Sequence, residues 1–223
     1  MTKLILFDID GTLLLTKGAG RESTRRAMTE VFGTAGAIDT HHFSGKTDWQ
    51  TLDELLEGQY TREAIGAILP SYNETVGRHI SEIISDFAVA PTPGALAAVN
   101  QLRARSDIAL GVLTGNPSRA AEAKLRAGGF DPAWFPVGAF GHEAYHRNDL
   151  PELAIQRACA YYGCNFPLHD IIIIGDTLMD IACARAAGVV AAVVLTGFET
   201  RAALEAAHPD AMFETLTEFA AWV

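Results

Sequence analysis

The chain has 223 residues, 49% of them hydrophobic, which is enough for one large domain or for one domain with a smaller module. Lys and Arg together number 17 against 27 Asp and Glu, so the formal net charge is −10. Nucleic-acid binding needs clustered Lys and Arg, and because this chain has no basic run we expect no nucleic-acid partner. A small anionic substrate is not excluded, since an acidic chain can still carry a locally positive site.

The cysteine content and the lack of long apolar stretches bear on the compartment. The three cysteines, Cys159, Cys164 and Cys183, are odd in number and form no CxxC pair, so we expect free, buried thiols in a reducing environment. The sequence carries no signal-peptide pattern and no apolar run near the ~20 residues that span a bilayer. We therefore expect a cytoplasmic protein without a membrane partner.

The first predicted element is a strand, residues 3–7, which ends directly on Asp8-Ile9-Asp10-Gly11-Thr12. Residues i and i+2 of a strand share a face, so Asp8 and Asp10 can converge at the carboxyl end of this strand. Open α/β sheets bind their ligands at that end. Two buried carboxylates are costly unless a cation neutralises them, and a hard divalent ion such as Mg²⁺ would do so.

The next segment, residues 16–89, contains no convincing strand. Its helical patterns lie near residues 20–32, 48–57 and 61–87. A connection this long is not an ordinary loop, so we predict a helical module inserted above the sheet, where it can cover the two carboxylates. One polar loop of this module contains His41, His42 and Lys46, which either read a substrate or form solvated surface.

The rest of the chain alternates apolar strands with helical patterns. The strands are predicted at residues 108–113, 135–140, 171–174 and 189–195, and the helices at residues 92–104, 118–127, 150–162 and 178–187. Such alternation predicts an α/β fold, a doubly wound, Rossmann-like parallel sheet covered on both faces. We predict that residues 1–15 and 90–223 form this core and that residues 16–89 form an all-helical cap.

Polar motifs follow three of these later strands. Thr114-Gly115-Asn116 follows the first, Arg147-Asn148 lies on the loop after the second, and Gly175-Asp176 follows the third, with Asp180 four residues further on. Because the carboxyl ends of parallel strands meet at one edge of a sheet, we expect all of these side chains to gather near the two N-terminal carboxylates.

Together these motifs resemble those of the haloacid dehalogenase superfamily of phosphohydrolases. Four match in order along the chain: Asp8-x-Asp10-Gly11-Thr12, Thr114-Gly115-Asn116, a basic residue before a helix, and Gly175-Asp176-x-x-x-Asp180. The helical insert resembles the cap that phosphoglycolate-phosphatase-like members carry between the first two motifs. The resemblance implies a Mg²⁺-dependent phosphatase that hydrolyses a small phosphorylated metabolite, a phosphomonoester, through an aspartyl-phosphate intermediate.

The resemblance also implies a role for each carboxylate. Asp8 would be the nucleophile, and Asp10 would be the general acid and base. Mg²⁺ would be held by the Asp8 carboxylate, the Asp10 backbone carbonyl and Asp176. Asp180 would be an acceptor just outside the coordination shell of the metal.

The phosphate-binding groups follow from the same resemblance. Thr114, with the backbone N–H groups of Gly115 and Asn116, would cradle the phosphate oxygens, and Lys46 is a cap candidate for substrate binding. The family usually carries Lys in its third motif, whereas here only Arg147 is available, and we assign it the charge-stabilising role. The alternative for Arg147 is a surface residue near the start of a helix.

One further motif has a different interpretation. His142-Glu143-Ala144-Tyr145-His146 matches the H-E-x-x-H pattern of zinc proteases, which requires a helix that presents both histidines together. We predict a loop here and find no evident third ligand. We therefore interpret the match as coincidence.

Other activities stay open on the same scaffold. A phosphomutase would need an acid–base group in the cap, for which His41 or His42 is available, and a phosphonate hydrolase would need a desolvated lysine such as Lys17 or Lys46. A metal-independent dehalogenase is disfavoured, because that branch of the family has no Asp at the position of Asp10. A binding protein without turnover is the rival from another class, and the intact motifs argue against it. The sequence identifies neither the substrate nor the oligomeric state.

Overall fold

The structure, a computed structural model, describes residues 3–43 and 45–223. Its strands are β1 (Lys3–Phe7), β2 (Leu14–Leu15), β3 (Ala90–Pro91), β4 (Ile108–Thr114), β5 (Val137–Phe140), β6 (Ile171–Gly175), β7 (Val190–Val194) and β8 (Ala211–Phe213). Six of them form one sheet in the order β5-β4-β1-β6-β7-β8, with every neighbouring pair parallel. The predicted doubly wound α/β fold is confirmed, and β1 lies in the middle of the sheet.

Helices connect these strands. They are α1 (Ala19–Phe32), α2 (Asp48–Leu55), α3 (Arg62–Ile83), α4 (Ala95–Arg103), α5 (Ser118–Ala127), α6 (Leu150–Tyr162), α7 (Leu178–Ala187), α8 (Arg201–Ala206) and α9 (Leu216–Trp222), with short 3₁₀ segments at Ile84–Asp86, Pro132–Trp134, Arg147–Asp149 and Leu168–Asp170. The bounds of α5, α6 and α7 agree with the predicted ones. None of the described helices is long and apolar enough to cross a membrane.

Alternate residues of the central strands face opposite layers of the fold. Ile5 and Phe7 of β1 pack in one apolar cluster with α4, α5 and α9, whereas Leu4 and Leu6 pack in another with α6, α7 and α8. Because both faces are covered, all residues of β4 and β6 are buried. The sheet is therefore a rigid platform whose carboxyl edge positions the polar residues that follow each strand.

The segment between β2 and β3 contains helices α1, α2 and α3 and no strand among its described residues. These helices surround their own apolar cluster, which includes Met28, Leu52 and Tyr72 and extends to Ala120 and Ala123 of α5. β2 and β3 pair with each other in antiparallel fashion, where the chain leaves the core and where it returns. The two crossings thus lie side by side.

The C-terminal region holds elements that the sequence patterns do not predict. β8 has three half-buried residues and pairs with β7 at the edge of the sheet, while α8 has only six residues. Elements this short have no periodicity to detect. The strand predicted from residue 135 begins instead at Val137, because Pro136 has no N–H group for a sheet hydrogen bond.

Candidate active site

Three carboxylates converge at the carboxyl edge of the sheet. Asp8 follows β1, Asp176 follows β6, and Asp180 lies in the first turn of α7. The Asp8 backbone N–H donates to the Ile174 carbonyl at 2.9 Å, which continues the pairing of the two strands. The three side chains are buried, and each offers an oxygen that lies within 4.8 Å of the other two.

Burial and the repulsion of neighbouring carboxylates raise the pKa of Asp8 and of Asp176. Burial raises the pKa of Asp8 to about 6, although the Arg147 guanidinium opposes this shift. Burial, together with the charges of Asp8 and Asp180, raises the pKa of Asp176 well above its usual range. A cation among these oxygens would relieve the repulsion, and hard carboxylate oxygens are the donors that a divalent ion such as Mg²⁺ prefers. The residues present therefore fit a divalent metal.

Two glycines leave the space that Asp176 occupies. A Cβ atom would lie 2.3 Å from Asp176 Oδ2 if placed at Gly11, and 1.7 Å from it if placed at Gly197. Gly11 also has a φ of +85°, which side chains rarely allow. The Thr12 hydroxyl donates to Asp176 Oδ1 at 3.0 Å. The turn after β1 therefore fixes a carboxylate that arrives from a different strand.

Arg147 lies inside the site. Its Nη2 atom is 2.5 Å from Asp180 Oδ1 and 3.3 Å from Asp8 Oδ1, and its Nη1 atom donates to the Gly45 carbonyl at 3.0 Å. The side chain is 1% exposed, so the alternative of a surface arginine is wrong. The loop after β5 turns inward at the short 3₁₀ segment and brings this residue to the carboxylates.

The turn after β4 brings Thr114 and Asn116 to Asp10. Asn116 Nδ2 donates to Asp10 Oδ2 at 2.8 Å and to Thr114 Oγ1 at 2.7 Å. Thr114 Oγ1 also accepts from the Asn116 backbone N–H at 3.3 Å. Because β4 is the neighbour of β1, this turn is next to Asp10, as the strand-end motifs predict.

The small size of Gly115 serves the contact with the helical segment. A Cβ at Gly115 would lie 2.0 Å from the Lys46 carbonyl oxygen. The Asp48 backbone N–H donates to the Gly115 carbonyl at 2.9 Å, and the Trp49 N–H donates to the Gly141 carbonyl at 3.2 Å. The first turn of α2 therefore rests directly on the turns after β4 and β5.

Lys124 of α5 is a site residue that sequence reasoning missed. Its Nζ atom lies 2.6 Å from Asp10 Oδ2 and 2.5 Å from Asn116 Oδ1. Burial raises the pKa of Asp10, but Lys124 and the hydrogen bonds from Asn116 and Thr16 outweigh it, and the net pKa is lowered. A detectable signal exists in the sequence, because Lys124 stands four residues after Ala120 on the buried face of a helix, where a lysine needs a partner.

One cavity of about 710 Å³ joins the sheet edge to the helical segment. Asp8, Asp10 and Asp176 line it from the core, and His42 and Lys46 line it from the opposite side. The Lys46 ammonium is bonded to Glu54 at 2.6 Å. His41, which is not among the lining residues, lies 3.8 Å from the same carboxylate, and burial lowers its pKa.

A protein-family model described as haloacid dehalogenase-like hydrolase matches residues 2–188 of this chain. The chain belongs to the haloacid dehalogenase-like hydrolases. The match confirms the predicted family and the predicted class of enzyme, a hydrolase.

Named relatives of this haloacid dehalogenase-like hydrolase extend over most of its length. A phosphoglycolate phosphatase of Synechococcus elongatus is 31% identical over 211 residues, which cover 95% of this chain and 92% of the relative. Protein CbbY of Rhodobacter capsulatus is 28% identical over 208 residues, covering 88% of this chain and 86% of the relative. A hydrolase structure from Pseudomonas syringae aligns with a TM-score of 0.71 at 20% identity, over 98% of this chain and 96% of that chain. At this identity the structural likeness supports the fold alone.

The H-E-x-x-H segment has a structural place in this haloacid dehalogenase-like hydrolase. It lies in the loop between β5 and the 3₁₀ segment at Arg147–Asp149, as predicted. The Thr47 hydroxyl donates to the Tyr145 carbonyl at 2.7 Å, and the Tyr145 hydroxyl donates to Asp53 Oδ2 at 2.8 Å. Glu143 is paired with Arg157 at 2.7 Å. The loop thus holds the helical segment on the core.

The cysteines differ in part from the expectation. All three are free, but only Cys183 is buried, whereas Cys159 is half-buried and Cys164 is exposed. Cys164 follows Gly163, which ends α6 with a φ of +65°, so it lies beyond the apolar face of that helix. The prediction of a core position is therefore wrong for Cys164.

Proposed function

We propose that this chain is a Mg²⁺-dependent phosphatase that hydrolyses a small phosphomonoester through an aspartyl-phosphate intermediate. The observation that carries the proposal is the buried group of Asp8, Asp176 and Asp180, with the Arg147 guanidinium against two of the three carboxylates. The similarity to a phosphoglycolate phosphatase, at 31% identity over 95% of the chain, supports a phosphomonoester as the substrate.

Asp8 is the nucleophile in this proposal. One carboxylate oxygen attacks phosphorus, and the bond between phosphorus and the alcohol oxygen breaks, with its electron pair leaving on that oxygen. β1 fixes the backbone of Asp8 at the sheet edge, and Arg147 Nη2, 3.3 Å from Asp8 Oδ1, orients the carboxylate. The product of this half-reaction is a phosphorylated Asp8 and a free alcohol.

Asp10 transfers the protons. The negative charge of a bound phosphate would oppose the effect of Lys124 on the pKa of Asp10 and favour its protonated form. Asp10 then gives a proton to the leaving oxygen and takes one from the water that attacks the phosphorylated Asp8, so that its protonation is restored after each cycle. Asn116 at 2.8 Å and Lys124 at 2.6 Å hold the Asp10 carboxyl in place for both steps. The second step releases inorganic phosphate and returns the Asp8 carboxylate.

The metal site uses the same carboxylates. The Asp8 carboxylate, the Asp10 backbone carbonyl and the Asp176 carboxylate would hold Mg²⁺. When bound, the ion offsets the negative charge that builds up when an anionic nucleophile approaches a phosphate. Asp180 holds Arg147 Nη2 at 2.5 Å and accepts from the Thr177 hydroxyl at 2.7 Å.

The phosphate oxygens are held from two directions. Thr114 and the backbone N–H groups of Gly115 and Asn116 approach from the turn after β4. Arg147 supplies the charge that a lysine supplies in most of the family, with a planar fork in place of a point charge. Lys46 is the cap contribution to substrate binding, and in that role its ammonium keeps Glu54 as its partner at 2.6 Å and donates a further hydrogen bond to the substrate.

Residues 16–89 are a cap in this proposal, and residues 1–15 and 90–223 are the catalytic core. The paired crossings at β2 and β3 act as the hinge. The contact of Asp48 with Gly115 belongs to the closed state, in which the cap excludes water from the cavity.

A phosphomonoester panel assayed for inorganic phosphate, with and without Mg²⁺, tests this function. Asp8→Asn should abolish turnover and leave the fold nearly intact, because the two side chains are close in shape. Asp86→Asn, an exposed change in the helical segment, is the matched control and should keep wild-type turnover. Wild-type rates in folded Asp8→Asn protein would refute the mechanism, and no Mg²⁺-stimulated release from any ester would favour a binding protein.

A further inference from the structure

Asp48 is a buried carboxyl group in the wall of the active-site cavity. It is the first residue of α2, is 7% exposed, and lines the same cavity as Asp8 and Asp10. Its Oδ2 atom has no hydrogen-bond partner among residues 3–43 and 45–223. No step of the proposed mechanism uses it. Because a buried carboxyl oxygen without a partner is costly, it marks a position that a ligand can complete.

The place of Asp48 relative to the catalytic groups is fixed. Its own N–H is bonded to the Gly115 carbonyl at 2.9 Å, and Thr47 before it is anchored to the Tyr145 carbonyl at 2.7 Å. Burial raises the pKa of Asp48 to about 7, although the Tyr72 hydroxyl and the charge of Lys124, whose Nζ lies 2.6 Å from Asp10 Oδ2, oppose this shift. Asp48 is therefore on the Asp10 side of the cavity, where the alcohol part of the substrate leaves.

Three of the cations that line the cavity already have partners, whereas Lys17, an exposed residue of the lining, has none among the described residues. Lys46 is bonded to Glu54, Arg21 donates to the carbonyls of Ile38 and His41, and Lys124 is bonded to Asp10 and Asn116. The Tyr72 hydroxyl lies beside Asp48 without completing a hydrogen bond of normal geometry. A ligand that places a hydroxyl group at Asp48 gains a hydrogen bond, whereas a second anion there would face a carboxyl group, and Lys46, Arg21 or Lys124 would have to give up an existing partner to pair with it.

We propose that Asp48 contacts the non-phosphorylated end of the substrate. It selects a phosphomonoester whose other end is neutral and carries several hydroxyl groups over one whose other end carries a carboxylate or a second phosphate. This inference rests on the proposed phosphatase function and deepens it. It also separates this chain from an enzyme whose substrate ends in a carboxylate.

The rest of the cavity wall agrees with this substrate class. Ser23, Thr24 and Thr51 add hydroxyl groups to the lining, and Phe43 and Val76 add apolar surface of the kind that packs on the carbon chain of a sugar. A cavity of about 710 Å³ lies in the ~300–1,000 Å³ range that holds whole small molecules, so there is room well beyond the phosphate group.

Matched substrate pairs test the proposal. Glycerol 3-phosphate and 3-phosphoglycerate share a three-carbon chain, and sorbitol 6-phosphate and 6-phosphogluconate share a six-carbon chain; each pair exchanges a terminal CH₂OH for a carboxylate. The wild type should prefer the alcohol in kcat/KM by about 10- to 150-fold, the range for a hydrogen bond to a charged group. Asp48→Asn, close in shape to the wild type, should remove most of that preference. Glu57→Gln, exposed on the same part of the chain, should retain it.

Binding separates the failure of this inference from the failure of the proposed function. Dissociation constants of the same pairs are measured by calorimetry with Mg²⁺ and Asp8→Asn protein, which cannot turn substrate over. If the alcohols bind more tightly but the wild type hydrolyses none of the substrates, the proposed phosphatase activity is wrong and the proposed preference for a hydroxyl-bearing end stands. If the wild type binds and hydrolyses the acids as well as the matching alcohols, or better, the proposed preference is wrong, whether or not Asp48→Asn folds. A preference that survives in folded Asp48→Asn would also overturn the inference.

Discussion

Lys124→Met removes the ammonium that faces Asp10 while keeping an unbranched side chain of similar length. The Lys124 side chain is 6% exposed and the Asp10 side chain is 36% exposed, because Asp10 opens on the cavity. Breaking a fully buried ion pair from one side costs about 3–5 kcal/mol. Solvent in the cavity screens Asp10, so we expect the free energy of unfolding to fall by only about 1–2 kcal/mol.

The effect on catalysis should be larger than the effect on the fold. A hydrogen bond to a charged group contributes about 1.5–3 kcal/mol, which corresponds to a loss of about 10- to 150-fold in rate if the bond positions Asp10 for proton transfer. Lys124 contacts Asp10 and not the phosphate in this arrangement, so kcat should fall while KM changes little. Lys124→Arg should keep the charge but recover only part of kcat, since a planar fork does not fit the place of Nζ between Asp10 and Asn116.

The measurements are urea unfolding and steady-state kinetics on the best substrate of the panel. Arg126→Met, an exposed change on the same helix, is the control and should leave both quantities near wild type. If Lys124→Met unfolds more easily but keeps kcat within about threefold of wild type, below the range for a charged hydrogen bond, then Lys124 is structural and the positioning role is refuted.

Three further predictions concern the charges in and near the site. Arg147→Ala should lower kcat/KM by about 10²–10³-fold, the cost of losing one charge-stabilising donor, and Arg147→Lys should recover part of that loss. A loss under about threefold would show that Arg147 does not stabilise the phosphate charge and would make Lys46 or Arg21 the next candidate for that role. EDTA should stop hydrolysis, Mg²⁺ should restore it, and Ca²⁺ should restore it poorly. Mg²⁺ at 100 times its dissociation constant should also raise the free energy of unfolding of the wild type by about 2.7 kcal/mol. An equal Mg²⁺-induced thermal shift in Asp176→Asn would contradict the metal site. Arg157 outweighs burial and holds the pKa of Glu143 below its ordinary value of 4.5, so this stabilisation is present above that pH and is lost as the pH falls through the lowered pKa. Glu143→Gln should therefore cost up to about 1 kcal/mol at pH 7 and progressively less as the pH falls through the lowered pKa of Glu143, with kcat at pH 7 unchanged. Lost activity with normal stability would revive a catalytic interpretation of that loop.

The parts of the fold that were predictable are those with long patterns and clear ends. α6 and α7 carry regular apolar spacing and end at Gly163 and Gly188, which adopt the left-handed conformation with φ of +65° and +67°. The buried strands end on polar residues because the sheet edge is where the apolar layers stop. The placement of Asp8, Asp10 and Asp176 around one cavity follows from that rule and needs no knowledge of side-chain packing.

The missed parts depend on contacts between distant segments. The place of Lys124 on the apolar face of its helix signals that it needs a partner, but the partner is identified only when α5 is placed near Asp10, 114 residues earlier in the chain. In the sequence, Asp48 is simply a favourable residue for the start of a helix. Its side chain lines the cavity because its backbone is hydrogen-bonded to Gly115. Periodicity predicts the elements, but it contains no information about which surfaces they bury against each other.

Charge balance links the metal, the missed lysine and the substrate class. Four carboxylates, from Asp8, Asp10, Asp176 and Asp180, face the ammonium of Lys124 and the guanidinium of Arg147 in the same buried region. Two negative charges are left over, which one divalent cation would offset. A phosphomonoester then brings its own negative charge, and the nearby cations already have carboxylate or carbonyl partners. In the proposed mechanism the metal and Arg147 would hold the phosphate, whereas Lys46, Arg21 and Lys124 keep their own partners and would not neutralise an anion at Asp48. A neutral, hydroxyl-bearing leaving group is therefore the substrate end that this acidic cavity can bury at the lowest electrostatic cost.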